Sequence, residues 1–129
     1  MVGDSISNLI NGLKIASIAK KDSVSISSSK MIENVLNTLK KSGFISDFKV
    51  SGEKKKTVKI DLLYVDGEPK IKGVKRVSKY SKRIYKKTKE LRPVKSNYGV
   101  SIMTTQKGIM TGAEAKKANI GGEILFEIW

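Results

Sequence analysis

The 129-residue chain contains no cysteine and no histidine. Without cysteine there is no disulfide framework, no thiolate nucleophile and no sulfur-bound zinc or iron–sulfur cluster. Without histidine the commonest general base and the commonest metal ligand are lost together. Acids are also few, 12 Asp plus Glu, and they are scattered singly, so no carboxylate pair at catalytic spacing can be proposed. The glycines fit neither the phosphate-loop nor the dinucleotide pattern. "TGAEAKKANIGGE" lacks the lysine-then-hydroxyl ending and the strand–loop–helix order that such a loop needs. These absences remove most catalytic templates, and the chain is expected to be no enzyme and to hold no cofactor, no metal and no small-molecule substrate. No apolar run approaches the roughly 18 residues of a membrane span. The opening "MVGDSISNLINGL" puts acid where a secretory signal puts base, so no targeting segment is expected either.

What the chain has in excess is positive charge: 26 Lys plus Arg, for a net +14. The excess is local, since residues 70 to 95 hold twelve bases and one acid, Glu90. Such a concentration costs self-repulsion that a polyanionic partner offsets. Nucleic acid is the first candidate and an anionic membrane surface the second. Ile71, Val74, Val77 and Ile84 are interleaved with the bases, which places the charge on a folded sheet and its loops rather than on a tail. Tyr80 and Tyr85 offer flat faces for sugar or base packing. A passive solvated surface is the competing reading, and the scarcity of local acid weighs against it. The long basic amphipathic helix of interfacial binders is missing, which ranks the membrane second.

Along the chain, Ile6, Leu9, Ile10, Leu13 and Ala16 recur at helical spacing, with Asp4 or Ser5 placed to cap. Gly12 in the middle of that helix implies either close approach of another backbone or a weak helix held by packing. "DSVSIS" alternates as a strand. Ser28 and Ser29 then cap "KMIENVLNTLKKSG", whose Ile32, Val35, Leu36 and Leu39 form one face and whose Lys40, Lys41 and Gly43 suit a helix end. "FISDFKVS" and "KTVKIDLLYV" read as strands around the turn "GEKKK", and "DGEPKIKG" marks a boundary. Beyond it "GVKRVSKY", "RIYKKT", "GVSIMTT" and "EILFEIW" read as strands, with Ile124, Phe126 and Ile128 alternating against Leu125 and Glu127. One short helix, "AEAKKA", opens on the capping box of Thr111 and Glu114. The pattern predicts an α+β fold of two small lobes: residues 1–66 as α-β-α-β-β, and residues 67–129 as a β-rich, RNA-binding lobe with one short helix.

"TTQKG" carries the most specific chemistry. Thr104, Thr105 and Gln106 are neutral donors and acceptors, and Gly108 lets a backbone come close. The plain alternative is a polar turn. Beside a basic sheet, however, cations attract phosphate without discrimination, whereas uncharged groups can read base edges and 2′-OH groups. Reading a DNA major groove would call for a helix lined with Arg, Asn or Gln, and none is present.

These segments, in this order, resemble the bacterial-type small-subunit ribosomal protein eight family from end to end. "DSISNLINGLKIA" is similar to its first helix, "SSSKMIENVLNTLKKSGFI" to its second, "GVKRVSKYSKRIYKKTKEL" to its basic block and "YGVSIMTTQKGIMTGAEAKKANIGGEI" to its C-terminal signature. The resemblance implies a structural constituent of the cytoplasmic small ribosomal subunit. Its implied partners are the central domain of the small-subunit rRNA, neighbouring small-subunit ribosomal proteins and, in many bacteria, a similar fold in the protein's own messenger RNA, which it represses. It implies RNA contact by Ser28, Ser29 and Lys30, by Tyr85, Lys86 and Lys87, by Thr104, Thr105, Gln106, Lys107 and Gly108, and by Gly121 and Gly122. Glu123 is implied to support the hydroxyl loop as an acceptor. The sequence departs from the family at Gln106, usually a small hydroxyl, at Tyr80-Ser81, usually Pro-Gly, at Gly112, usually Asp, and at Gly12 and Ile15, usually Arg and Asn. The alternative is a general RNA-binding module outside the ribosome, which discriminates little between RNA folds once phosphate attraction is screened.

Overall fold

In the computed structural model, which describes residues 2–79, 81–92 and 99–129, the first helix, α1, runs Val2–Ile18. Its periodic residues Ile6, Leu9, Ile10, Leu13 and Ala16 are all buried. The helix starts upstream of Asp4 and Ser5, so neither is its cap. No proline stands before them to prevent the helix from continuing back to Val2.

Three strands follow with a second helix between them: β1 (Ser23–Ser27), α2 (Lys30–Lys41), β2 (Ile45–Ser51) and β3 (Thr57–Leu62). They form an antiparallel sheet in the order β1-β3-β2. Val24 and Phe48 both pair with Ile60, and Ile26 and Val50 with Val58, which puts one apolar face together; Val58 and Ile60 are fully buried. Gly12 of α1 lies against that face, where a Cβ would stand 3.4 Å from the Cγ2 atoms of both Val24 and Ile26. Side chains, not a backbone, therefore approach Gly12, and they leave just enough room for a methyl. Gly12→Ala is expected to raise stability by about 0.5–1 kcal/mol through helix propensity. A lower urea midpoint would mean that the helix–sheet contact has no slack.

At the start of α2, Ser29 accepts a hydrogen bond from the Ile32 amide at 3.2 Å. At its end, Gly43 (φ 81°) donates to the Lys40 carbonyl and Phe44 to the Leu39 carbonyl, a Schellman motif that also buries Phe44. Lys40 reaches across to Asp47 at 3.0 Å. That hydrogen bond, with one from the Phe48 amide, holds the Asp47 carboxyl below its ordinary range.

"DGEPKIKG" contains more than a boundary. β4 (Tyr64–Val65) and β5 (Glu68–Pro69) form a small hairpin whose turn residues, Asp66 and Gly67, both have positive φ, as a type I′ turn requires. The Tyr64 hydroxyl donates to the Lys21 carbonyl at 2.6 Å and Lys20 pairs with Glu68 at 3.5 Å. The chain divides into units Met1–Lys72 and Gly73–Trp129, so the expected border at 66/67 falls inside this turn. The two tethers keep the hairpin with the first unit.

The second unit contains β6 (Val74–Arg76), β7 (Tyr85–Lys86), a 3-10 turn (Thr88–Glu90), β8 (Val100–Thr105), β9 (Gly108–Thr111), α3 (Gly112–Lys117) and β10 (Gly122–Ile128). Its sheet runs β6-β10-β8-β9, and β7 pairs with the start of β10. Met103, Ile124, Ala115 and Leu91 form a buried cluster under α3. The expected alternation along β10 fails at one point. Ile124 opposes Met103 and Phe126 opposes Ile102, so Leu125 is an extra residue at a bulge, and it is buried as well. The capping box forms: Thr111 Oγ1 accepts from the Glu114 amide and Glu114 Oε1 accepts from the Thr111 amide, each at 3.1 Å. Among the described residues, no helix is long and apolar enough to cross a membrane.

Candidate nucleic-acid interface

Most of the basic stretch is loop rather than strand, because β6 and β7 are short. The loop between them is nonetheless closed. The buried Ser78 hydroxyl accepts from the Ile84 amide at 2.8 Å and donates to the Ile84 carbonyl at 3.2 Å. Lys79 and Lys82 exchange backbone hydrogen bonds at 2.9 and 3.0 Å. One hydroxyl thus clasps a loop that displays Lys79, Lys82 and Arg83 in solvent. Of the Tyr80-Ser81 departure, Tyr80 lies outside the described residues, and Ser81 is an exposed turn residue. Tyr85 is 64% exposed, as a stacking face requires.

The predicted contacts of the second unit converge where β7, β10 and β8 meet. Glu123 pairs with Tyr85 on one side and Thr104 on the other. Directly opposed residues share a face, so Tyr85, Glu123 and Thr104 form one row across three strands. Lys86, Gly122 and Thr105 follow on the opposite face. Tyr85 and Lys86 therefore do not present one surface. They flank the strand ends from two sides.

The two glycines explain how the ends fit. A Cβ on Gly121 would lie 2.5 Å from the Lys86 carbonyl oxygen and 3.0 Å from Lys87 Cα. One on Gly122 would overlap the Thr104 carbonyl oxygen and lie 3.0 Å from Thr105 Cγ2. Only bare backbone passes here. Beside it, Tyr85, Lys86, Lys87, Thr88, Glu90, Gly121 and Gly122 line an open depression of about 380 Å³.

"TTQKG" is the tip of the β8–β9 hairpin: Thr105 pairs with Gly108, leaving Gln106 and Lys107 as an exposed two-residue turn. The short strand β9 was not expected, since "GIMT" follows too soon after the turn to show a period. The threonines differ. Thr105 Oγ1 donates to the Gly108 carbonyl at 2.9 Å and accepts from the Lys107 amide at 3.1 Å, so its hydroxyl holds the turn. Thr104, half-buried, makes no side-chain hydrogen bond among the described residues.

Glu123 is half-buried, and its tie to the loop is the backbone ladder with Thr104. No hydrogen bond joins its carboxylate to the hydroxyl loop among the described residues. The departure at Gly112 has a packing reason, since a Cβ there would run into the buried Ser101 hydroxyl. Ser28, Ser29 and Lys30 belong to the first unit. Ser29 is engaged as the α2 cap, Lys30 is exposed, and the buried Ser28 hydroxyl has no hydrogen-bond partner among the described residues. The first unit also has a dense basic turn, "KKK" at residues 54–56, all three exposed. Among the described residues, no group of acids could hold a metal ion.

The sequence model of the family described as Ribosomal protein S8 matches residues 4–129. The chain is 44% identical over 128 residues to the small ribosomal subunit protein uS8 of Mycoplasmopsis synoviae (strain 53), covering 98% of this chain and 97% of that one. It is 42% identical over 122 residues to that of Wigglesworthia glossinidia brevipalpis, covering 95% and 94%. Over 129 residues it is 40% identical to that of Mesoplasma florum, covering 100% of each.

Proposed function

Because the chain belongs to the ribosomal protein S8 family, and is thereby a structural protein of the small ribosomal subunit with rRNA and ribosomal proteins as partners, we propose that it binds the central domain of the small-subunit rRNA directly and helps nucleate its assembly. The observation that carries this reading is the joint of β7, β10 and β8. An exposed tyrosine, an uncommitted threonine hydroxyl and a glycine-flattened backbone meet there beside cations. Small neutral groups on a narrow strand end suit the wide, shallow minor groove of an RNA helix, while the lysines add phosphate attraction. The same surface takes a similar fold in the protein's own messenger RNA, repressing its translation. Ile15 and Ile18, 65% and 84% exposed at the end of α1, are apolar groups left for neighbouring proteins.

The test is binding to a transcript of the central-domain junction against a scrambled hairpin of equal length, at about 0.2 M salt where nonspecific attraction is reduced. A strong preference for the junction is expected. Equal binding would leave only a general RNA-binding module. Gln106→Ala is expected to lower the preference by about 1–3 kcal/mol, the worth of a good base contact. Thr105→Ala is expected to do the same by opening the turn, and Thr105→Ser, which keeps both hydrogen bonds, to restore it. If the alanine variants discriminate as the wild type does, "TTQKG" is only a turn.

A further inference from the structure

The first unit has a polar sheet face of its own. Ser27, Thr57 and Ser51 oppose one another across β1, β3 and β2, and Ser25, Lys59 and Lys49 form the next row on the same face. All six are exposed. Lys49 stands directly opposite Lys59, a like-charge pairing that destabilises a sheet, and neither closes an ion pair among the described residues. Past the hydroxyl row the chain turns through Lys54, Lys55 and Lys56. The Ser28 amide donates to the Lys56 carbonyl at 2.9 Å, which fixes that turn beside the start of α2 and its exposed Lys30. The far end of the face is acidic, with Asp47 opposite Asp61, and Asp47 is already engaged by Lys40.

We propose that this face and its lysine turn form a second RNA-contact surface, separate from the joint in the second unit, which takes the sugar–phosphate backbone of a duplex. The inference rests on the RNA-binding reading above. Phosphates seat on Lys49, Lys59 and the turn lysines, and the hydroxyl row meets phosphate and 2′-OH oxygens. Three features favour RNA as the occupant. An anion between Lys49 and Lys59 converts their repulsion into attraction. A face of Ser, Thr and Lys has no aromatic or large apolar group of the kind that protein interfaces use. Nor does it offer one to insert into a lipid surface. It discriminates backbone, not sequence, because no base-reading amide or arginine lies on it.

Two variants of the full chain, Lys59→Thr and the double Lys54→Ser/Lys55→Ser, are compared with the wild type for binding to the junction transcript and to a plain RNA duplex across a salt series. Each variant is expected to weaken both RNAs by the same factor and to flatten the salt dependence, by about one contact for the first and about two for the second. Lys59→Thr is also expected to raise the urea midpoint of the free protein at low salt by relieving Lys49, and a fall would remove the like-charge argument. Unchanged affinity and slope in both variants, with junction preference intact, overturn this surface and leave the ribosomal reading standing. Flattened slopes with no junction preference in the wild type support this surface and sink the other reading. Failure of the wild type to bind either RNA overturns both.

Discussion

Phe126→Ala is expected to lower the stability of the chain by about 3–5 kcal/mol, the cost of removing a buried aromatic ring and leaving a cavity. Phe126 is fully buried on β10 and stands between Arg76 of β6 and Ile102 of β8, which is also fully buried. β10 is the strand on which β6, β7 and β8 all pair. A void there loosens the strand that carries Gly122 and Glu123 to the joint. Against the 5–15 kcal/mol that typically separates folded from unfolded chains, the loss is large enough to leave a measurable unfolded fraction at modest urea. Ile102→Val, across from it, is expected to cost about 0.5–1.5 kcal/mol. Junction binding by Phe126→Ala should weaken roughly in step with its folded fraction. A loss below about 1 kcal/mol would mean that neighbouring side chains collapse onto the site, a response a densely packed interior seldom makes.

The residues that were legible in advance were those whose reasons are local. α2 is one: a serine cap, four apolar residues on one stripe, two terminal lysines and a glycine just beyond all act within a few residues of each other, and the helix forms between them. The Thr111–Glu114 box is another. Features whose cause is distant were hidden. β4 and β5 are two residues each, too short to show a period, and they are tied down by a tyrosine hydroxyl that reaches Lys21. Leu125 looked like the outward partner of Ile124, but a bulge against β8 reverses the alternation, and no single strand displays the register of its neighbour.

The candidate site divides in the same way. "TTQKG" and "GGE" were visible as motifs, and the resemblance supplied the residues expected to make contact. What it could not supply was their division of labour. That Thr105 closes the turn while Thr104 stays uncommitted follows from a hairpin whose second strand was unseen. The Lys49–Lys59 opposition was invisible for the same reason, since the two lysines are ten positions apart and meet only through the β2–β3 register.

Gly122→Ala tests whether the joint of β7, β10 and β8 is built as described. The added methyl would meet the Thr104 carbonyl oxygen on one side of the strand and the Thr105 methyl at 3.0 Å. A long, flexible side chain could move away at little cost, but a carbonyl in a β-ladder moves only if the strand moves. The cost is therefore expected at the upper end of the overpacking range, about 3 kcal/mol. Its consequence for binding should exceed its consequence for folding, because the displaced element is the one that sets the spacing of Thr104, Thr105 and Tyr85. The junction preference should fall to the level of the scrambled hairpin, while the salt dependence, carried by lysines that the methyl does not touch, stays near the wild-type slope. Hydrogen exchange supplies the structural readout: the amides of Thr105 and Lys86 should lose protection, and those of β1 and β3 should keep theirs. Wild-type preference and wild-type protection together would show that β8 and β10 already stand far enough apart to admit a side chain. The glycine pair would then be a compositional accident rather than the reason the strand ends can close.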